Sequence, residues 1–85
     1  MKVKIFIKLK ESVLDPQGKA VMGSMRTLGF DNVRSVRVGK MIELEVEDSP
    51  RDEIVKSIGE MCGKLLVNTV IEQYRFEIDD TVLSR

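Results

Sequence analysis

The first ten residues constrain the fold most. From Lys2 to Lys10 the chain alternates strictly, with Val3, Ile5, Ile7 and Leu9 on one side and Lys2, Lys4, Lys8 and Lys10, joined by Phe6, on the other. Side chains alternate across a strand with a period of two, so this stretch predicts a strand with one face in a core and one in water. A slip of one residue would bury the lysines, which ties each face to its side of the sheet.

The remaining elements follow from periodicity and punctuation. Asp15 precedes Pro16, and Ala20, Val21, Met25 and Leu28 recur at helical spacing before Gly29. Proline suits the first helical position because its missing N–H would be unpaired there anyway, Asp suits the N-cap, and Gly suits a left-handed C-cap. These signals predict a first helix over 16–28. Residues 33–38 and 41–47 both have strand character, the second by alternating Ile42, Leu44 and Val46 with Met41, Glu43, Glu45 and Glu47, and they meet at Gly39-Lys40, which predicts a β-hairpin. Asp48-Ser49-Pro50 then predicts a capped start to a second helix running to about Leu66, with Asp52 and Glu53 near its positive end. Its expected buried stripe is Ile54, Ile58, Met61, Cys62 and Leu65. Val70, Tyr74, Phe76 and Ile78, set against Gln73, Arg75, Glu77 and Asp79, predict a last strand.

The order β-α-β-β-α-β predicts an α+β, two-layer, ferredoxin-like domain over residues 1–79. Both helices should cover one face of an antiparallel sheet in which the first and third strands are central neighbours. Strand exchange or sheet extension in an oligomer stays open. Residues 80–85 show no pattern and are expected to form a tail. A domain of 85 residues buries only about 60% of the surface its unfolded chain exposes, so assembly is a reasonable expectation.

The zero net charge conceals a split. Residues 1–40 carry +6 and residues 41–85 carry −6. In the predicted topology the lysines of the first strand face Glu43, Glu45 and Glu47, so the split reads as cross-strand pairing on a solvated sheet face, with Phe6 and Met41 as its apolar seam. The same acids would repel phosphate, which argues against RNA binding even though RNA-recognition modules share this frame. A small-ligand regulatory module of the ACT kind, whose sites have weak motifs, remains open.

Catalytic and metal chemistry find few candidates. The chain has no histidine and one cysteine, so neither an imidazole-assisted nucleophile nor a zinc-ligand spacing can be built within it. Cys62 lies on the apolar stripe of the second helix and reads as an inert buried thiol. The Gly18-Lys19 pair invites comparison with a phosphate loop, but Ala20 follows where a hydroxyl residue would hold magnesium, and the preceding glycines are missing. No stretch approaches the roughly 20 apolar residues of a membrane span, and the single cysteine agrees with a reducing, cytoplasmic setting.

Several segments together carry a resemblance. The lysine-alternating strand, Val13-Leu14-Asp15-Pro16-Gln17-Gly18-Lys19-Ala20-Val21, Leu28-Gly29-Phe30, Val36-Arg37-Val38-Gly39-Lys40, Ile42-Glu43-Leu44, Met61-Cys62-x-Lys64-Leu65-Leu66-x-Asn68 and Val70-Ile71-Glu72 closely resemble the PurS family. That family provides the small subunit of the three-part phosphoribosylformylglycinamidine synthase of purine biosynthesis. Thr69 and Gly63 depart from it, standing where the family often has proline and a charged residue.

The resemblance implies a non-catalytic adaptor in an ATP- and glutamine-dependent amidoligase. A PurQ glutaminase would release ammonia, and a PurL synthetase, with ATP and magnesium, would activate formylglycinamide ribonucleotide. This chain would bind no cofactor or metal itself, and no nucleic acid or membrane. It would form a homodimer, with a tetramer when the other subunits are absent. Exposed positions outside the expected core give the docking candidates: Asp15, Gln17 and Lys19 at the helix entry, and Arg37, Gly39 and Lys40 at the expected hairpin tip.

Overall fold

The computed structural model describes residues 1–79. Its elements are β1 (Lys2–Leu9), α1 (Pro16–Thr27), β2 (Gly39–Glu45), α2 (Arg51–Met61) continued by a π-helical turn (Cys62–Leu66), and β3 (Glu72–Asp79). The expected tail at 80–85 lies outside the described residues. The three strands form one antiparallel sheet of order β2-β1-β3. The class is α+β with the ferredoxin-like placement of its first strand between its third-predicted and last strands.

The alternation of β1 sets the layers. Val3, Ile5 and Ile7 are buried and pair with Leu44, Ile42 and Lys40 on one side and with Ile78, Phe76 and Tyr74 on the other. Ile54, Ile58 and Cys62 of α2 close over this face, joined by Val67. In the π-helical turn the Val67 N–H donates to the Cys62 carbonyl, five residues back, at 3.0 Å. The wider turn advances the apolar stripe by one residue. Val67 is therefore buried and Leu66 half-buried, whereas Leu65, expected inside, is 81% exposed.

The expected strand at 33–38 is not a strand, and Gly39-Lys40 is not a turn. Among the described residues only Gly29 has a left-handed φ, at +92°. Gly39 instead sits inside β2 opposite Lys8, where a Cβ would lie 2.6 Å from the Ile7 carbonyl oxygen. Its glycine serves close strand approach, which sequence alone does not distinguish from a turn. Without a strand at 33–38, β2 is an edge strand and only β1 is central.

Helix α1 starts at Pro16 as predicted and ends at Thr27, one residue short of the predicted Leu28, which is its C-cap. Asp15 caps it by accepting from Gly18 N–H at 3.1 Å. Its C-terminus closes as a Schellman motif, with Phe30 N–H donating to Met25 O at 2.9 Å and Gly29 N–H to Arg26 O at 3.0 Å. Its expected apolar stripe is not buried, however: Gly18 is its only buried residue, Val21 is exposed, Leu28 is 73% exposed, and the core contains no α1 residue. The core is thus built by the sheet and α2. The α2 cap also differs from expectation. Pro50 occupies the N-cap without a side-chain bond, while the Asp48 carboxylate accepts from the Met1 ammonium at 3.1 Å.

Candidate functional site

The sequence-predicted docking residues converge on one junction, where the chain leaving β1 meets the chain entering β2. Asp15 stands at the start of α1 because its short carboxylate can reach back to the free N–H groups of the first turn. It is 4% exposed, and both of its oxygens are engaged: Oδ1 accepts from Gly18 N–H at 3.1 Å and Oδ2 from Val38 N–H at 2.9 Å. The Val38 and Gly18 amides, with the Arg37 guanidinium as a further influence, hold its carboxyl below the ordinary value of 3.8.

Arg37 faces the same junction from the other side. Its Nη2 donates to the carbonyl oxygens of Lys10 at 2.9 Å, Leu9 at 3.2 Å and Val13 at 3.3 Å. Arg37 and Asp15 are therefore internal partners of the backbone. Gln17 and Lys19 remain exposed on the first turn of α1. Lys40, also exposed, has its Nζ 3.9 Å from a Glu72 carboxylate oxygen. Gly39 contributes backbone alone.

Gly18 belongs to this junction although it was expected only as part of a possible phosphate motif. A Cβ there would lie 2.5 Å from the Val36 carbonyl oxygen and would strike the Asp15 carboxylate. Its position three residues after a capping Asp was a legible signal, whereas its contact with Val36, 18 positions on, left no local trace.

The outer face of the sheet sets Lys2 and Lys4 against Glu43 and Glu45 as expected, with β3 adding acids, whereas Lys8 faces Gly39 and Gln73 and Glu47 lies past the end of β2. Lys2 lies between Glu45 and Asp79, and Lys4 between Glu43 and Glu77. Lys2 Nζ is 3.2 Å from Glu43 Oε1, and that acceptor raises the lysine's pKa. Further along, Phe6 lies between Met41 and Arg75, and the Arg75 guanidinium sits 4.2 Å from the centre of the Phe6 ring while pairing with Glu77 at 2.8 Å. Sequence reading did not foresee this cation–π contact because it depends on the β1–β3 register. Gly39 opens a shallow hollow beside Phe6, Lys8 and Met41.

Chemically, the junction and the sheet face offer contact surfaces and no reacting constellation. Cys62 is fully buried, and burial pushes its thiol pKa up. Among the described residues no group of three or more His, Cys, Asp or Glu could hold a metal ion, and no helix is long and apolar enough to cross a membrane.

Comparison with known proteins resolves what the geometry leaves open. The family model described as PurS, phosphoribosylformylglycinamidine (FGAM) synthase, matches residues 2–80. The chain belongs to the PurS family. It is 52% identical over 81 residues to the phosphoribosylformylglycinamidine synthase subunit PurS of Bacillus subtilis, covering 95% of each chain. The crystal structure of B. subtilis PurS superposes with a TM-score of 0.80 over 93% of this chain and 98% of that one. PurS of Methanocaldococcus jannaschii, one of the subunits of formylglycinamide ribonucleotide amidotransferase, is 37% identical with a TM-score of 0.82, covering 92% and 94%. A chain in the structure of PurLQS from Thermotoga maritima is 32% identical with a TM-score of 0.82, covering 89% and 93%. The shared fold therefore extends to a PurS-like chain within an assembly of three kinds of subunit.

Proposed function

We propose that this PurS-family chain is the non-catalytic adaptor of a cytoplasmic phosphoribosylformylglycinamidine synthase, docking a PurQ-type glutaminase and a PurL-type synthetase. The observation that carries this reading is the likeness, over nearly the whole chain, to the corresponding chain of PurLQS. In this assembly the glutaminase hydrolyses glutamine to glutamate and ammonia. The synthetase uses ATP and magnesium to phosphorylate the formamide oxygen of formylglycinamide ribonucleotide, and ammonia then displaces phosphate to give the amidine. Free ammonia is protonated and lost in water, so the two sites must be held in one water-excluding assembly. A rigid chain that carries contact surfaces and a buried thiol suits that task. The alternating lysines and acids of its sheet face leave no basic stripe for nucleic acid.

The docking surface we assign is the junction and its rim. Gln17, Lys19 and Lys40 present side chains to a partner, Gly39 presents backbone, and Asp15 and Arg37 hold these positions from within. The chain also pairs with a second copy of itself. Two features support this: its radius of gyration of 16.5 Å exceeds the roughly 12 Å of a compact 85-residue domain, and α1 leaves Val21 and Leu28 exposed. Among the described residues β2 and β3 are the sheet's two edges, and their outer backbone groups offer it partners.

The test is reconstitution. Leaving this chain out should abolish glutamine-dependent amidine formation and largely preserve formation from added ammonium salts. Equal loss of both activities would refute the adaptor role, as would glutamine hydrolysis by this chain alone.

A further inference from the structure

Residues 10–38 leave the body of the molecule and return to it. The two feet of this excursion are residues 10–15, after β1, and 36–38, before β2. Between them lies α1, which adds nothing to the hydrophobic core. The hydrogen bonds between the feet run in both directions. Arg37, in the returning foot, donates to the Leu9, Lys10 and Val13 carbonyls of the departing chain, spanning 24 to 28 residues. Asp15, in the departing foot, accepts from Val38 N–H, 23 residues on, and from Gly18 N–H inside the helix. Gly18 is buried where the two feet and the first turn of α1 meet, with no room for a Cβ between Val36 O and the Asp15 carboxylate.

We infer that Asp15 and Arg37 form a two-way brace that closes the 10–38 excursion into one arm and fixes the direction in which α1 leaves the sheet. They are positioning residues: neither offers its charge to a partner, because one is buried and both are engaged by backbone. The brace determines where Gln17 and Lys19 stand relative to Lys40. A helix packed on a core is oriented by its apolar stripe. Among the described residues α1 has no such packing, so its orientation rests on these hydrogen bonds and on the fit of Gly18. The consequence for assembly rests on the docking reading above; the brace itself does not.

Hydrogen–deuterium exchange of the full chain tests the brace, and titration of the reconstituted complex tests its role. Arg37→Met and Asp15→Asn should each raise exchange at least tenfold at Gly18, at Val38 and along α1, leaving Ile58 and Cys62 amides unchanged. Arg37→Lys, which keeps a charged donor, should fall between wild type and Arg37→Met. The double variant should match the worse single one, since either set of bonds alone leaves the arm free. A rise confined to the first turn of α1 would reduce Asp15 to a helix cap and overturn the inference. Equal rises in α1 and α2, or simple additivity of the two substitutions, would overturn it too.

In the complex, Arg37→Met should require at least tenfold more chain for half-maximal glutamine-dependent activity, with the rate at saturation retained. An unchanged titration alongside freed exchange would overturn the positioning role. Should the wild-type chain itself have no effect on glutamine-dependent activity, the docking reading fails and the exchange result still decides the brace.

Discussion

Ile58 and Leu28 make a paired test of where the chain's stability resides. Ile58 is fully buried between α2 and the sheet among Val3, Ile5, Ile7, Ile54, Cys62 and Val67, whereas Leu28 at the end of α1 is 73% exposed. Replacing Ile58 by Ala removes three buried carbons and leaves a cavity in a core too small to refill it, which should destabilise the fold by about 2–5 kcal/mol. For a domain of this size that corresponds to a fall in Tm of roughly 10–30 °C. Leu28→Ser should change the stability of the single chain by no more than about 0.5 kcal/mol. Urea unfolding followed by circular dichroism, at several protein concentrations, separates the two. If a second copy covers α1, the Leu28→Ser effect grows as the protein is concentrated and vanishes on dilution, while the Ile58→Ala effect persists throughout. A loss under about 1 kcal/mol for Ile58→Ala, or a large concentration-independent loss for Leu28→Ser, would refute a core built by the sheet and α2 alone.

Other expectations can be checked individually. Asp15 titrates below its ordinary value in the folded chain, so its contribution is present at neutral pH and lost as pH falls through the lowered value; the stability gap between wild type and Asp15→Asn should close on acidification, read by Tm against pH. The Cys62 thiol should resist a water-soluble disulfide reagent in the native chain and react fully in denaturant. A Cβ at Gly59 would meet nothing within 4 Å, so Gly59→Ala should stabilise α2 by about 0.5–1 kcal/mol in urea unfolding. Gly39→Val should weaken the β1–β2 pairing at the Lys8 end, seen as faster amide exchange there, because its Cβ would press on the Ile7 carbonyl.

What the sequence revealed depended on the range of each interaction. The β1 alternation, the Asp15-Pro16 entry and the Gly29 exit are written within a few residues, and each forms as predicted. The segment 33–38 misleads because Val33, Val36 and Val38 have strand character while the bonds that hold it come from Asp15 and from carbonyls after β1. Likewise, the spacing of Ala20, Val21, Met25 and Leu28 correctly gives a helix, but amphipathicity does not say whether the covering surface lies in the same chain. The α2 stripe fails only at Leu65, where one π turn shifts the phase. At the docking junction, exposure was assumed for Asp15 and Arg37 from their charge. A charged residue can equally be spent inside, on backbone groups whose positions only the fold determines.

The row at Phe6 has a consequence for how the sheet chooses its alignment. Val3, Ile5 and Ile7 are similar enough in shape that the core resists a two-residue slip of β1 only weakly, and lysines two apart meet acids in more than one alignment. Phe6 interrupts the lysines where Met41 and Arg75 interrupt the acids. Slipping β1 by two residues in one direction would set Lys4 opposite Arg75; slipping it the other way would set Lys8 there. Either error places like charges side by side and separates Arg75 from the ring it covers. The single break in an otherwise repetitive pattern thus acts as an index mark for the β1–β3 pairing: compared with its two-residue slips, only the observed alignment keeps Arg75 away from a lysine.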